Sequence, residues 1–175
     1  MNTTTSQSTA ANGLMARGTA LLQGVNGLMG HLPNTLLAFV ARFSIAAVFW
    51  KSGQTKIEGL AIDIVSGTFT VGVPRLSDNA VFLFREEYKL PLLPPELGAT
   101  LAALGEHILP ILILLGLATR LSALGLLGMT MVIQIFVYPD AYATHGTWAA
   151  VLLYLMAHGP GRLSLDAWVV KRCSS

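Results

Sequence analysis

Residues 97–161 read LGATLAALGEHILPILILLGLATRLSALGLLGMTMVIQIFVYPDAYATHGTWAAVLLYLMAHGPG, and this stretch decides what kind of protein the chain forms. Its formally charged residues are Glu106, Arg120 and Asp140. A soluble fold of 175 residues must cover itself with polar groups and cannot keep so long a stretch off its surface. The sequence therefore predicts an integral membrane protein that has the lipid bilayer as its solvent.

The composition of the whole chain has the same bias. Apolar residues make up 53% and charged residues 11% of the sequence, and the mean hydropathy is +0.62. Soluble domains carry about 25% charged residues. The net charge of +2 is small and Lys and Arg do not form runs, so nucleic acid is not a predicted partner. The single cysteine, Cys173, cannot form an internal disulfide.

Breaks in the apolar pattern predict an all-α membrane protein, a four-helix transmembrane bundle. The predicted spans are residues 35–53, 97–117, 121–138 and 141–158. The short Thr119-Arg120 turn forces the second and third spans to lie antiparallel, while Pro139-Asp140 and the HGPG segment at 158–161 end the third and fourth. Several spans are shorter than the ~20 residues that usually cross a bilayer, and we expect local thinning of the bilayer to accommodate them.

The segments outside these spans also have distinct characters. Residues 1–12 are rich in Ser and Thr, which predicts a disordered tail. Apolar residues in 13–33 recur three, four or seven apart, which is typical of an amphipathic interfacial helix on the membrane surface. Residues 54–96 are predicted to form a structured outer (periplasmic) cap loop, and residues 159–175 a cytoplasmic tail.

Within the cap loop, two local structures are predicted. Residues 68–71 read as a short strand, and Ser77 is placed to cap a helix over residues 79–88. A β-hairpin that uses residues 80–84 as its second strand is the competing interpretation.

The orientation follows from targeting signals and basic residues. The N-terminus lacks the basic start and apolar core of a cleaved signal peptide, so the first span is expected to act as an uncleaved signal into a bacterial inner membrane. Basic residues are balanced between the two sides, but the positive-inside bias is read from short loops and tails, whereas the loop at 54–96 is long. We therefore expect both termini in the cytoplasm.

Ionisable residues inside the spans are the first candidate site. Such groups are costly in lipid and usually face the bundle interior, where they find partners. A rise of 1.5 Å per residue brings Arg42 and Glu106 within about 6 Å in depth, which predicts an ion pair between them. Neighbouring helix positions point ~100° apart, so one of Glu106 and His107 would meet Arg42 and the other Gln134 or a ligand.

Two interpretations of this candidate site remain open. The pair could only set the helix register, or Arg42, Glu106, His107 and Gln134 could belong to a ligand pocket or a proton path. Gln134 fits an interhelical hydrogen bond better than a ligand contact, because amides commonly join membrane helices in this way.

A second group of polar residues is predicted on the outer side. Its members are Lys51, Lys56, Glu87, Tyr88 and His145. They could form a solvated rim, or the mouth of a pocket in which the two lysines contact an anion. Motifs for a Walker loop, a zinc site, a nucleophile elbow or haem attachment do not occur in the sequence, so no metal, nucleotide or haem site is predicted.

In order and spacing, five segments resemble the DoxX family of small bacterial membrane proteins, over about residues 36–169. They are ARFSIAAVFWKSGQTKI (41–57), LFREEYKLPLLPPELGATLA (83–102), GEHILPILILLGLATRLSAL (105–124), FVYPDAYATHGTW (136–148) and HGPGRLSLD (158–166). The resemblance implies a four-helix membrane bundle with cytoplasmic termini. By position, the recurring polar sites of the family would be Arg42, Lys56, Glu87, Tyr88, Glu106, Arg120, His145, Arg162 and Asp166.

The resemblance also implies two classes of function. Some relatives resemble the membrane subunit of thiosulfate:quinone oxidoreductase, and others are linked to oxidative or metal stress. The leading hypothesis is a redox-linked membrane subunit that binds a quinone or another lipophilic ligand in the bundle, while a protein partner carries the redox centre. The alternative is a non-enzymatic stress-response protein, acting as a scaffold or in small-solute or metal handling. On either hypothesis the chain is at most the membrane subunit of an oxidoreductase complex.

Overall fold

A computed structural model describes residues 19–63 and 66–173, and the chain divides into two compact units, residues 1–33 and 34–175. In the first unit, residues 19–30 form helix α1. Its apolar side chains are at least half exposed, and they are Leu21, Leu22, Val25, Leu28 and Met29. The predicted tail at 1–12 and the predicted start of this helix at residue 13 lie outside the described residues.

The second unit is mainly helical. Its helices are α2 (Asn34–Gln54), α3 (Asp78–Leu83), α4 (Pro95–Leu115), α5 (Thr119–Val132), α6 (Tyr142–His158) and α7 (Leu165–Cys173), and its strands are β1 (Ile57–Asp63) and β2 (Thr68–Leu76). Helices α3 and α5 continue as π-helical turns, Phe84–Tyr88 and Ile133–Val137, and a 3-10 turn, Pro139–Ala141, precedes α6.

Four helices, α2, α4, α5 and α6, pack around one apolar core. Its buried members include Ile45, Phe49, Ile113, Ala123, Leu126, Leu152 and Leu155. The outer faces of these helices are also apolar, and Phe43, Leu104 and Leu153 are each more than half exposed. Apolar surface on both sides is expected when lipid surrounds a helix. In the part of the chain that the structure describes, three helices are long and apolar enough to cross a membrane: Asn34–Gln54, Pro95–Leu115 and Thr119–Val137.

Prolines and glycines set the bounds of α4. The helix begins at Pro95, two residues before the predicted start, because a proline in the first turn loses no hydrogen bond. It ends at Leu115, two residues before the predicted end, because Gly116 takes a left-handed φ of 69° as the C-cap. We call the end of the four-helix core next to β1 and β2 the hairpin end, and the end next to α7 the α7 end.

The predicted, mainly helical fold is confirmed, but a β-hairpin lies between α2 and α3, so the fold is not all-α. The strand expected at 68–71 extends over Thr68–Leu76 and pairs antiparallel with β1, opposing Leu60 to Val71 and Ile62 to Phe69. Strand β1 was not predicted. Its pairing register with β2 shifts between Glu58 and Leu60, around Gly59 at a φ of 87°, and such an irregularity breaks the alternation of side chains.

The competing hairpin over residues 80–84 is wrong, because these residues continue α3 into its π-helical turn. The predicted cap is confirmed: the Ser77 Oγ accepts a hydrogen bond from the Ala80 amide at 3.1 Å. The predicted tail at 159–175 contains a helix that the sequence analysis missed, α7.

Replacing Ser77 with Ala is expected to destabilise α3 by about 1 kcal/mol, because the Ala80 amide at the helix start loses its side-chain acceptor. Hydrogen exchange of the amides of residues 80–88 measures this effect. Ser44→Ala, at an exposed position on α2, is the control and should leave those rates unchanged. Equal exchange in Ser77→Ala and the parent protein would mean that packing alone holds α3.

Candidate ligand cavity

A cavity of about 310 Å³ lies at the hairpin end, between the four core helices and the π-helical turn after α3. This volume is at the lower end of the range for small-molecule sites. Most of the lining is apolar and includes Val48, Phe49, Leu101 and Val132. The polar groups on the wall come from Ser52, Lys56, Tyr88, Glu106, Tyr138 and His145.

A buried ion pair forms part of the wall. The Lys56 Nζ lies 2.7 Å from the Glu106 Oε2, and the Glu106 side chain is 3% exposed. Lys56 follows the end of α2 and folds back over its last turn, so that its Nζ lies 3.2 Å from the Ser52 Oγ. The Ser52 hydroxyl in turn donates to the Glu106 Oε1 at 3.2 Å. Burial of either charge alone would be costly, and the pair satisfies both.

The predicted ion pair between Arg42 and Glu106 is wrong. Glu106 pairs with Lys56, whereas the Arg42 guanidinium lies near the α7 end and donates from Nη1 to the Leu114 carbonyl at 2.9 Å and from Nη2 to the Leu163 carbonyl. Leu114 lies eight residues beyond Glu106, about 12 Å along α4. The depth estimate failed because the arginine stem extends toward the end of α4, whose last carbonyls lack partners within the helix.

Asp166 completes the α7 end of the bundle. Its carboxylate accepts hydrogen bonds from the amides of Ala118 at 2.8 Å and Thr119 at 3.1 Å, and from the Thr119 hydroxyl at 3.1 Å. A carboxylate at the start of α5 also complements the helix dipole. Arg42 and Asp166 therefore both bind backbone groups at or beside the turn between α4 and α5, and neither lines the cavity.

His107 does not line the cavity, and it does not meet Gln134. Its Nδ1 donates to the Ala103 carbonyl at 2.7 Å, and its Nε2 lies 3.0 Å from the Gln54 Nε2. The Gln54 Oε1 accepts from the Ile62 amide at 2.7 Å. Gly53 allows the imidazole this close to α2, since a Cβ there would lie 2.8 Å from the His107 Cε1. His107 thus joins α4 to α2 and to β1.

Gln134 forms the interhelical hydrogen bond that the sequence analysis favoured for it, and its partner is His145. The Gln134 Oε1 lies 2.7 Å from the His145 Nδ1, and the Gln134 Nε2 donates to the Pro139 carbonyl at 2.5 Å. His145 is 5% exposed and packs on Trp148, with ring centroids 5.0 Å apart. His145 therefore belongs to the cavity wall rather than to a solvated rim.

The remaining members of the predicted outer group, Tyr88, Glu87 and Lys51, do not all belong to the cavity. Tyr88 lines the cavity, with its ring edge-on to Tyr138 at 5.9 Å. Glu87 accepts from the Tyr138 hydroxyl at 2.8 Å, and Lys51 is exposed and does not line the cavity.

Hydrogen bonding to Tyr88, burial and the Glu87 carboxylate raise the pKa of Tyr138 above its usual range. Tyr138 therefore stays a neutral hydroxyl donor at physiological pH.

Most of the cavity wall was not predicted from the sequence, and the missed residues include Ser52, Tyr138 and Trp148. A helical spacing of four residues relates Ser52 to Lys56, and a spacing of three relates Trp148 to His145, so these relations were present in the sequence. Tyr138 reaches the site through the loop before α6, and no local pattern signals this. Within residues 19–63 and 66–173, no three His, Cys, Asp or Glu side chains converge as a metal-ligating group.

The three apolar helices and the cavity among them define a helical membrane protein. A family model described as DoxX matches residues 37–139, more than half of the chain, and the protein belongs to the DoxX family. The match includes Lys56, Tyr88, Glu106 and Tyr138 of the cavity wall. Comparisons with curated proteins and with solved structures found no match.

Proposed function

We propose that this DoxX protein is a membrane subunit of a redox complex in a bacterial inner membrane, and that its cavity binds a quinone or another lipophilic ring compound. The observation that carries the proposal is the apolar cavity of about 310 Å³ with a buried Lys56–Glu106 pair in its wall. Sites for small lipophilic ligands combine a mostly apolar lining with a few polar groups that orient the ligand.

In this proposal α6 is the fourth transmembrane helix. Its 17 residues span about 26 Å, which is close to the ~30 Å hydrocarbon core and within the mismatch that a bilayer accommodates. Leu152 and Leu155 lie in the common core, while Leu153 is 52% exposed and would face lipid. The exposed apolar face of α1 supports a position on the membrane surface. With four spans, both termini lie on one side, which we take to be the cytoplasm.

The wall offers the contacts that a ring compound with oxygen substituents requires. Phe49 and Trp148 present aromatic surface, with their rings tilted by 58° and their centroids 5.5 Å apart. The Lys56 ammonium is 12% exposed and has two longer contacts besides Glu106, to the Ser52 carbonyl at 3.4 Å and the Ser52 hydroxyl at 3.2 Å. A ligand carbonyl can replace one of these two contacts while Lys56 remains paired with Glu106. A protein partner would supply the redox centre in this arrangement.

Bound quinone should be recovered when the protein is purified from its native membrane and extracted for mass spectrometry. In Ala102→Phe the recovery is expected to fall about ten-fold, because the new ring fills the cavity and overpacking costs ~1–3 kcal/mol. Ala102 lines the cavity, whereas Ala150 is exposed on α6, so Ala150→Phe is the matched control. Quinol turnover in membranes should fall in Glu106→Gln and stay unchanged in Glu58→Gln, at an exposed carboxylate.

The proposal fails if no quinone is recovered and Glu106→Gln leaves quinol turnover unchanged. A deletion strain that loses tolerance to copper, thiol or peroxide stress, with normal quinol turnover, would instead point to the non-enzymatic stress-response function.

A further inference from the structure

We infer that the His145 Nε2 accepts a hydrogen bond from a ligand in the cavity. The cavity therefore prefers a ring compound that bears a hydroxyl at this position, the phenolic form, over the same ring without a donor. The inference rests on the proposed function, because it specifies which form of the lipophilic ligand the cavity prefers. It follows from a chain of three hydrogen-bonding groups, each of which determines the next.

The Pro139 carbonyl determines the orientation of the Gln134 amide. A carbonyl can only accept, so the Gln134 group 2.5 Å away from it must be the NH₂. The Gln134 Oε1 therefore faces the His145 Nδ1 at 2.7 Å. An amide oxygen can also only accept, which requires the proton of the neutral imidazole to lie on Nδ1.

The other ring nitrogen, Nε2, consequently carries no proton, and its lone pair can accept a hydrogen bond. The His145 Nε2 makes no hydrogen bond to any side chain or backbone group in residues 19–63 and 66–173. His145 is 5% exposed and lines the cavity, whereas Gln134 does not line it. The nitrogen left without a partner is therefore the one available to a molecule in the cavity.

The His145 ring has little freedom to rotate. Its Nδ1 is held by Gln134, and the ring contacts Trp148 in a tilted arrangement, with centroids 5.0 Å apart and planes 55° apart. The Nε2 lone pair is therefore held in the cavity wall, where a donor on a bound ligand can satisfy it. A ligand hydroxyl supplies that donor, while an ether or carbonyl oxygen would bring a second acceptor against the lone pair.

Binding of trimethylhydroquinone and of its dimethyl ether tests the inference, because the two share a ring and only the first can donate. Calorimetric titration of the full chain in lipid nanodiscs, under anaerobic conditions, gives both affinities. The wild-type protein is expected to bind the hydroquinone about five- to ten-fold more tightly, the effect of one buried hydrogen bond.

Two substitutions of His145 distinguish the roles of its two ring nitrogens. His145→Asn keeps an amide donor near the Nδ1 position and removes the acceptor at Nε2, so it should bind both compounds about equally. His145→Gln retains an acceptor near the Nε2 position and should keep part of the preference. The tautomer is read independently of binding from the ¹⁵N shifts of His145, with the proton on Nδ1 in the wild-type protein and a tautomer mixture in Gln134→Leu.

The outcomes separate this inference from the proposed function. If neither compound binds the wild-type protein, the ligand site itself is absent and both proposals fall. If both bind with equal affinity, or if His145→Asn keeps the full preference, the ligand site stands and the role of His145 is overturned. An Nε2–H tautomer in the wild-type protein overturns it as well.

Discussion

Lys56→Met is expected to lower the free energy of unfolding by about 3 kcal/mol, because Glu106 would remain as a buried carboxylate without its partner. Glu106 is 2% exposed, and the Ser52 hydroxyl is the other hydrogen-bond donor that the structure gives it. Glu106→Gln should cost less, about 1–2 kcal/mol, because Lys56 is 12% exposed at the cavity and can be solvated there. The double variant should be more stable than the sum of the two losses predicts.

Detergent-solubilised protein, titrated with a denaturing detergent and followed by circular dichroism, gives these differences. The ion pair between Arg85 and Glu96 is the matched control, because its side chains are 56% and 59% exposed. Arg85→Met should cost no more than about 1 kcal/mol, as exposed pairs generally do. Equal losses in Lys56→Met and Arg85→Met would show that water fills the cavity and screens the Lys56–Glu106 pair.

Arg42→Met should cost about 3 kcal/mol, since the Leu114 and Leu163 carbonyls would both lose their donor in a site that is 2% exposed. Arg42→Lys should recover only a small part of this loss, because one ammonium cannot reproduce the planar fork of a guanidinium. Gly116→Ala should be similarly harmful, because its Cβ would lie 2.5 Å from the Arg42 Nη1.

The same unfolding titration measures the effect, with Arg162→Met as the control. Arg162 is an exposed arginine at the same end of the bundle, so its loss should be within about 0.5 kcal/mol of neutral. If Arg42→Lys kept full stability, the two hydrogen bonds from the guanidinium to the Leu114 and Leu163 carbonyls would not be needed, and charge alone would suffice at this position.

The four core helices could be predicted from the sequence because their signals are local, whereas α7 was missed. Long apolar runs, Pro95 at a helix start and Gly116 after a helix end give the bounds to within two residues. Strand β1 was not accessible, since its pairing with β2 depends on a shift at Gly59 that only the folded hairpin reveals.

Part of the candidate site could be predicted from the sequence, but its contacts could not. Glu106 and His145 were recognised as candidates from their positions, yet the partner of each was not. Depth along a helix cannot determine pairing, because Lys56 folds back over the end of α2 and Arg42 extends the other way. The cavity itself depends on how four helices pack, and no single segment encodes it.

The hydrogen bonds of Arg42 to two distant carbonyls have a consequence for the insertion of the chain into the membrane. Arg42 and Leu163 are 121 positions apart, so the arginine leaves the ribosome long before its second acceptor has been translated. A lone arginine near the middle of a span costs about 2.5–3.5 kcal/mol on passing from the translocon into lipid. Helix α2 is also the least apolar of the three helices that are long enough to cross a membrane. The first acceptor, the Leu114 carbonyl, comes with α4. We therefore expect α2 to wait beside the insertion machinery until α4 has been translated and to enter the bilayer together with it.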